Sequence, residues 1–257
     1  MLIPDTTKRM REKFALAKIK IYTTKDVRES YSNDKQLDEK HNQWLIYMIF
    51  RPCSFVISAI FLNFRITANQ ISLVSLLFCL ALPMVYLFPS KTAFFILALS
   101  ICICYLLDCI DGDMARASGD VSATGHYLDF ITDVIFRISS YFALVLIIYI
   151  TPEYTNNSLY WAYCLGAAWF TTAARLSRVF AKSLKKADRE VYSRESKDTY
   201  NWVDRVFFAV SSIDHALPIF IFSMVFFENL DWLIGWIFVY ALADFVFTQF
   251  LIFKVLR

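Results

Sequence analysis

Apolar residues in this chain fall in long runs, and polar residues gather between the runs rather than alternating with them. A helix crossing the hydrocarbon core needs about 20 mainly apolar residues. Six segments fit that pattern: Gln70–Phe88, Thr92–Leu107, Leu128–Ile150, Leu159–Ala181, Arg205–Phe227 and Trp232–Phe253. The first two are uncharged. The others hold Asp129, Asp133 and Arg137; Arg175 and Arg178; Asp214 and His215; and Asp244, in that order. Upstream, Trp44–Phe64 is apolar but interrupted by Arg51-Pro52. A charge beside a helix breaker is costly in mid-span. This stretch is therefore expected to lie in the interface, with Trp44 and Tyr47 at headgroup level; a true span is the alternative. The pattern predicts an all-α, polytopic membrane protein. It has a charged tail over 1–43, an interfacial juxtamembrane helix over 44–64, and a six-helix transmembrane domain over 65–257.

Composition supports this class. Of 257 residues, 58% are hydrophobic and 19% charged, against about 45–50% and 25% in soluble domains. Disorder and an ordinary soluble globule are excluded. A net charge of +3 is too small to point to nucleic acid as a partner. The six cysteines sit in apolar surroundings without the paired spacing of a zinc site, and read as small packing residues. Residues 1–43 lack the apolar core of a cleavable signal peptide; their basic residues suit a cytosolic tail on anionic headgroups. The short turns Pro89–Lys91, Thr151–Ser158 and Glu228–Asp231 carry one basic residue between them, Lys91. The opposite side has the basic tail, the Lys182–Asp204 loop and the Lys254/Arg257 terminus. By the positive-inside rule, both termini are expected in the cytoplasm.

The segment from Asp108 to Asp133 differs from the rest. Three of the chain's five glycines, Gly112, Gly119 and Gly125, fall among aspartates at the mouth of two consecutive spans. Acids entering a membrane are expensive and default to function. At helical spacing Asp108, Asp111, Gly112 and Ala115 share one face, and Asp113 points largely away. On the next span Gly125, Asp129 and Asp133 share a face. A short connection makes the two helices antiparallel neighbours, so their carboxylates can converge. Converging carboxylates repel unless a cation sits among them, and oxygen donors favour hard ions such as Mg²⁺ or Mn²⁺. Gly and Ala between the acids leave a bare helix surface, and Arg116 supplies a fork suited to phosphate. Together these residues point to a metal-bound diphosphate.

The run Asp108-x2-Asp111-Gly112-x2-Ala115-Arg116-x8-Gly125-x3-Asp129-x3-Asp133 resembles the signature of the CDP-alcohol phosphotransferases. Upstream, Ile66 to Ser72 is similar to the family's Thr-Pro-Asn-x-Ile-Thr entry to the first span, with Ala68 for Pro and Ser72 for Thr. After Asp133, Val134 stands where many phosphatidyl-transferring members have Lys or Arg, and Arg137 follows one turn later. The resemblance implies a CDP-alcohol donor, attack of an alcohol acceptor on the β-phosphorus, and release of CMP. It implies two bound ions, Mg²⁺ or Mn²⁺, with Asp108, Asp111, Asp129 and Asp133 as ligands. Asp133 is further implied as general base. Asp108, Gly112, Ala115, Arg116, Gly125, Thr67 and Asn69 are implied around the CDP moiety. It also implies a homodimer; the asymmetry of basic residues between the loops puts the site on the cytoplasmic side.

Arg137, Arg175 and Arg178 are candidates for the acceptor. Arg137 has a structural alternative, an ion pair with Asp244 or Asp214, and Arg178 could instead snorkel to the interface. His215 is either a proton-transfer aid or a structural histidine. The preferred reaction moves a phosphatidyl group from CDP-diacylglycerol to a polar alcohol, free or phosphorylated. A second form swaps the roles, a small CDP-alcohol donating to a lipid acceptor. A rival of another class is an ion or proton transporter using the intramembrane acids.

Overall fold

The computed structural model describes residues 21–155, 157–191, 215–227 and 229–256. Asp214, most of the Lys182–Asp204 loop and the first half of the span expected over 205–227 lie outside them. Among the described residues there is no strand.

Two short helices come first, α1 (Thr24–Glu29) and α2 (Asn33–Asn42). Thr23 and Asp26 form a capping box at α1, and Ser32 accepts the Lys35 N–H at the start of α2. A π-turn over Ile46–Phe50 then leads into α3 (Arg51–Asn63). The wider turn falls immediately before Pro52, whose ring would otherwise strain a regular helix. Thr67 and Gln70 cap α4 (Ala68–Ala81) reciprocally, and the chain tightens to a 3₁₀ turn at Leu82–Leu87 around Pro83. Next is α5 (Ser90–Ser118), one continuous helix of 29 residues that carries a predicted span and half of the acidic motif. Gly119 ends it with φ +74, a conformation that suits a residue without Cβ. Ser122 caps α6 (Ala123–Ile150). After one turn of helix at Pro152–Thr155 come α7 (Ser158–Val191), α8 (Leu217–Phe227) and α9 (Leu230–Leu256).

Five helical stretches among the described residues are long and apolar enough to cross a membrane: Ile46–Asn63, Ala68–Leu87, Ser90–Ser118, Ala123–Ile150 and Leu230–Phe253. The architecture is that of an integral, multi-pass membrane protein. Ile46–Asn63 falls in the stretch expected at the interface. The charge that argued against a crossing there, Arg51, is buried and paired inside the protein. Helix α7 runs on past Ala181, the predicted end of its span, to Val191.

The bundle packs α4 against α6, α6 against α7, α7 against α9, and α5 against α3 and α8. Leu97, Ile101, Leu144, Ile147, Ile148, Ile234 and Ile237 form its core. Lipid tails are as apolar as leucine, so close packing rather than water exclusion joins such helices. Small residues at the contacts fit that requirement: Ala93, Ala143, Ala167 and Ala174 have no exposed surface. Leu73, Leu77, Leu80, Phe95, Leu99, Trp169, Val246 and Phe250 point outward, far more apolar surface than a soluble monomer leaves bare.

Candidate active site

Helices α4, α5 and α6, with side chains from α2 and α7, line a cavity of about 760 Å³ that gathers charged residues in an otherwise apolar bundle. From α5 come Asp108, Asp111, Gly112, Ala115 and Arg116; from α6 come Gly125, Asp129 and Asp133. The helical register read from the sequence therefore places all eight signature residues on one cavity. Asp108, Asp111, Asp129 and Asp133 all open onto this one cavity, so their carboxylates share it. Asp108 lies deep in the fold, yet its side chain is open to the cavity. Asp111 is almost covered, and Ser72 Oγ donates to its Oδ2 at 2.7 Å. Ser72 stands at the position where the family motif has Thr, so the hydroxyl function is kept.

Among the described residues, no ion pair joins Asp108, Asp111 or Asp129 to a basic side chain. Nor are three of their carboxylates drawn into a closed metal shell. The donor chemistry nevertheless fits a hard divalent cation. All the groups are carboxylates, they come from two facing helices, and they meet where their mutual repulsion needs a positive charge.

Two glycines act by leaving space. A Cβ on Gly125 would come 2.9 Å from Asn69 Oδ1, so its absence lets the start of α4 lie against the start of α6. Asn69 Nδ2 donates to Ser122 Oγ at 3.4 Å and lines the cavity. A Cβ on Gly112 would meet the Arg116 guanidinium at 3.2 Å. Thr67, expected beside the CDP moiety, does not line the cavity; its hydroxyl caps α4 by accepting the Gln70 N–H. Its influence on the site is to start the helix that carries Asn69 and Ser72.

Asp113 faces the other way, as expected, into a buried polar cluster. It has no exposed surface and accepts from Arg51 at 2.9 Å, Ser54 at 2.6 Å and Arg116 at 2.5 Å. Arg51 also donates to Glu39, which accepts the Tyr31 hydroxyl at 2.6 Å. Burial alone would raise the Glu39 carboxyl, but the hydrogen bond and charge of Arg51 outweigh it and hold the group below its usual range. Burial, then the Glu39 hydrogen bond, pushes the Tyr31 phenol up. None of Tyr31, Glu39 and Arg51 was singled out in sequence as a site residue. A buried arginine in an apolar run was the available signal.

The deep end of the cavity is organised differently. Asp133 lies between Arg137 at 3.3 Å and Arg175 at 2.5 Å. Arg178 pairs with buried Asp244 at 2.7 Å and donates to Thr248 at 3.0 Å. This corrects the pairing considered from sequence: Asp244 belongs to Arg178, whereas Arg137 pairs with Asp133, and Arg178 turns inward rather than snorkelling. All three arginines line the cavity, as does His215, whose ring leans on Tyr105 with centroids 5.3 Å apart.

An apolar helical bundle with acids and arginines gathered on one cavity is a membrane protein with a charged internal site. Residues 65–241 match the CDP-alcohol phosphatidyltransferase family, and the chain belongs to it. It is thus a membrane phosphotransferase that uses a CDP-alcohol. No curated protein matches the chain.

Proposed function

We propose that the protein transfers a phosphatidyl group from CDP-diacylglycerol to a polar alcohol, releasing CMP in phospholipid biosynthesis. The observation that carries this reading is the convergence of Asp108, Asp111, Asp129 and Asp133 with Arg116 and Asn69 on one cavity. Asp108, Asp111 and Asp129, with Asp133 adjoining, would hold two divalent ions, Mg²⁺ or Mn²⁺. Such ions neutralise a diphosphate and stabilise the departing nucleotide. The protein's own residues do the remainder. Ser72 fixes the rotamer of Asp111, Arg116 faces the phosphates as a preset fork, and Gly112 and Gly125 leave room for the Arg116 and Asn69 side chains to take their places at the donor.

Asp133 takes the acceptor's proton in this account. The acceptor oxygen bonds to the β-phosphorus, the bond from that phosphorus to the bridging oxygen breaks, and CMP leaves with the bond electrons. Arg137 and Arg175 compensate the Asp133 charge and fix its orientation. A carboxylate has about four lone-pair sites, so two ion pairs leave capacity to accept from a hydroxyl. Transfer of this kind depends mainly on positioning and charge compensation.

The proposal also takes in six spans with the 44–64 helix at the interface, a cytoplasmic site and termini, and a homodimer. The basic-loop asymmetry supports the orientation. The test of function is CMP release by purified protein against a panel of CDP-alcohols and acceptors. CMP release with CDP-diacylglycerol and a polar alcohol is expected. Release only with a small CDP-alcohol and a lipid acceptor would reverse the substrate roles, and no release with any pair would overturn the reading.

A further inference from the structure

The family match begins at residue 65, but the cavity wall begins earlier. Lys35 and Glu39 on α2 line the same cavity as Asp108 and Arg116. What holds α2 there is a continuous chain of charged hydrogen bonds. Glu39 binds Arg51, Arg51 binds Asp113, and Asp113 binds the signature Arg116. The Tyr31 ring lies under both guanidiniums, 5.1 Å from Arg51 and 5.8 Å from Arg116. This links a segment ahead of the family core to the residue that faces the phosphates.

Charges in that chain balance, two arginines against two acids, and Lys35 is added to it. Its Nζ stands 3.7 Å from Glu39 Oε1, a long contact to a carboxylate already engaged by Arg51 and Tyr31. Burial, then the nearby Arg116 and Arg51 charges, pushes the Lys35 ammonium below its usual range. Lys35 and Arg116 are two cations lining one cavity, an arrangement that suits an anion bound between them.

We infer that Lys35 is a substrate-phosphate contact of the donor site, presented by a segment that Glu39, Arg51 and Asp113 lock to Arg116. Lys35 touches the diphosphate; Glu39, Arg51 and Asp113 are positioning residues that act through Arg116. The inference rests on the CDP-alcohol donor proposed above.

The experiment compares the full chain in detergent with Lys35→Met and Lys35→Arg, at fixed Mg²⁺. It measures the donor KM for CMP release and the equilibrium affinity for cytidine 5′-diphosphate. Lys35 is half-exposed, so neither change threatens the fold. Loss of one charge-assisted hydrogen bond is worth about tenfold. Lys35→Met is expected to weaken cytidine diphosphate binding and raise donor KM by about that factor, with the effect on KM rather than kcat. Lys35→Arg recovers most of it. An unchanged affinity in Lys35→Met overturns the inference and leaves Lys35 to lipid headgroups or to solvent. Wild-type protein that binds cytidine diphosphate but releases no CMP from any donor overturns the phosphotransfer reading instead, with the Lys35 comparison still decided by binding. Wild-type protein that does not bind it overturns both.

Discussion

The two ends of the cavity handle the same problem, carboxylates inside a membrane protein, in opposite ways. At the donor end Asp108, Asp111 and Asp129 crowd together, with a serine on one and no basic partner among the described residues. At the deep end Asp133 has two guanidiniums and Asp244 has one. A carboxylate paired within the protein is a stable structural unit; carboxylates left facing one another are a demand for an external cation. On the proposed reading the donor end is completed by the cations that bind there, whereas the deep end supplies its own positive charge from arginines.

This contrast predicts unequal responses to perturbation. The largest concerns metal. Stripping divalent ions with a chelator should abolish CMP release, and added Mg²⁺ or Mn²⁺ should restore it. Secondary structure should survive, since the deep-end pairs and the apolar core do not depend on the ions. Circular dichroism before and after chelation separates these effects; full turnover in metal-free buffer would erase the distinction between the ends.

The next effect falls on stability. Arg178→Met leaves Asp244 buried without its guanidinium, which should cost about 3–5 kcal/mol. Unfolding in detergent would read it. Adding Asp244→Leu should return most of the loss, because removing both charges also removes the desolvation penalty. A double variant no better than the single one would show that the pair does more than balance charge.

A smaller effect is expected at the contact between α4 and α6. Gly125→Ala places a methyl against the Asn69 side-chain oxygen. That flexible group can yield, so the fold should persist while Asn69 leaves its place in the cavity wall. Donor KM should rise by about 3- to 10-fold, the worth of one ordinary hydrogen bond. An unchanged KM would remove Asn69 from the donor site.

Much of the donor end was legible in the sequence because it obeys a local rule. Asp108, Asp111, Gly112 and Ala115 lie on one helix, and 3.6-residue periodicity places them on one face without knowledge of the fold. The same rule turned Asp113 away. Two pairings of the deep end were not legible, because Asp133–Arg175 joins α6 to α7 and Arg178–Asp244 joins α7 to α9, and partners across helices leave no mark on local spacing; Asp133–Arg137, four residues apart on α6, was open to the same local rule. Arg137 had two candidate partners in sequence, Asp244 and Asp214, whereas the structure pairs it with Asp133 and gives Asp244 to Arg178. The Arg51 cluster was hidden for a related reason. Read alone, a charge beside Pro52 is a defect in an apolar run; paired with Glu39 and Asp113 it is an internal anchor. Thr67 shows a role the motif did not announce, a helix cap at the start of α4.

The division of labour between the ends is tested most directly by measuring donor affinity and turnover together in two variants, Asp108→Asn and Asp133→Asn. Both keep side-chain size. Asp108→Asn should lose donor and metal binding together. Asp133→Asn should bind the CDP-alcohol much as wild type does and lose about 10²–10⁴ in rate, the usual worth of a general base. If Asp133→Asn instead loses donor binding as severely as Asp108→Asn, Asp133 belongs to the donor end as a metal ligand, and the account of two differently built ends is wrong.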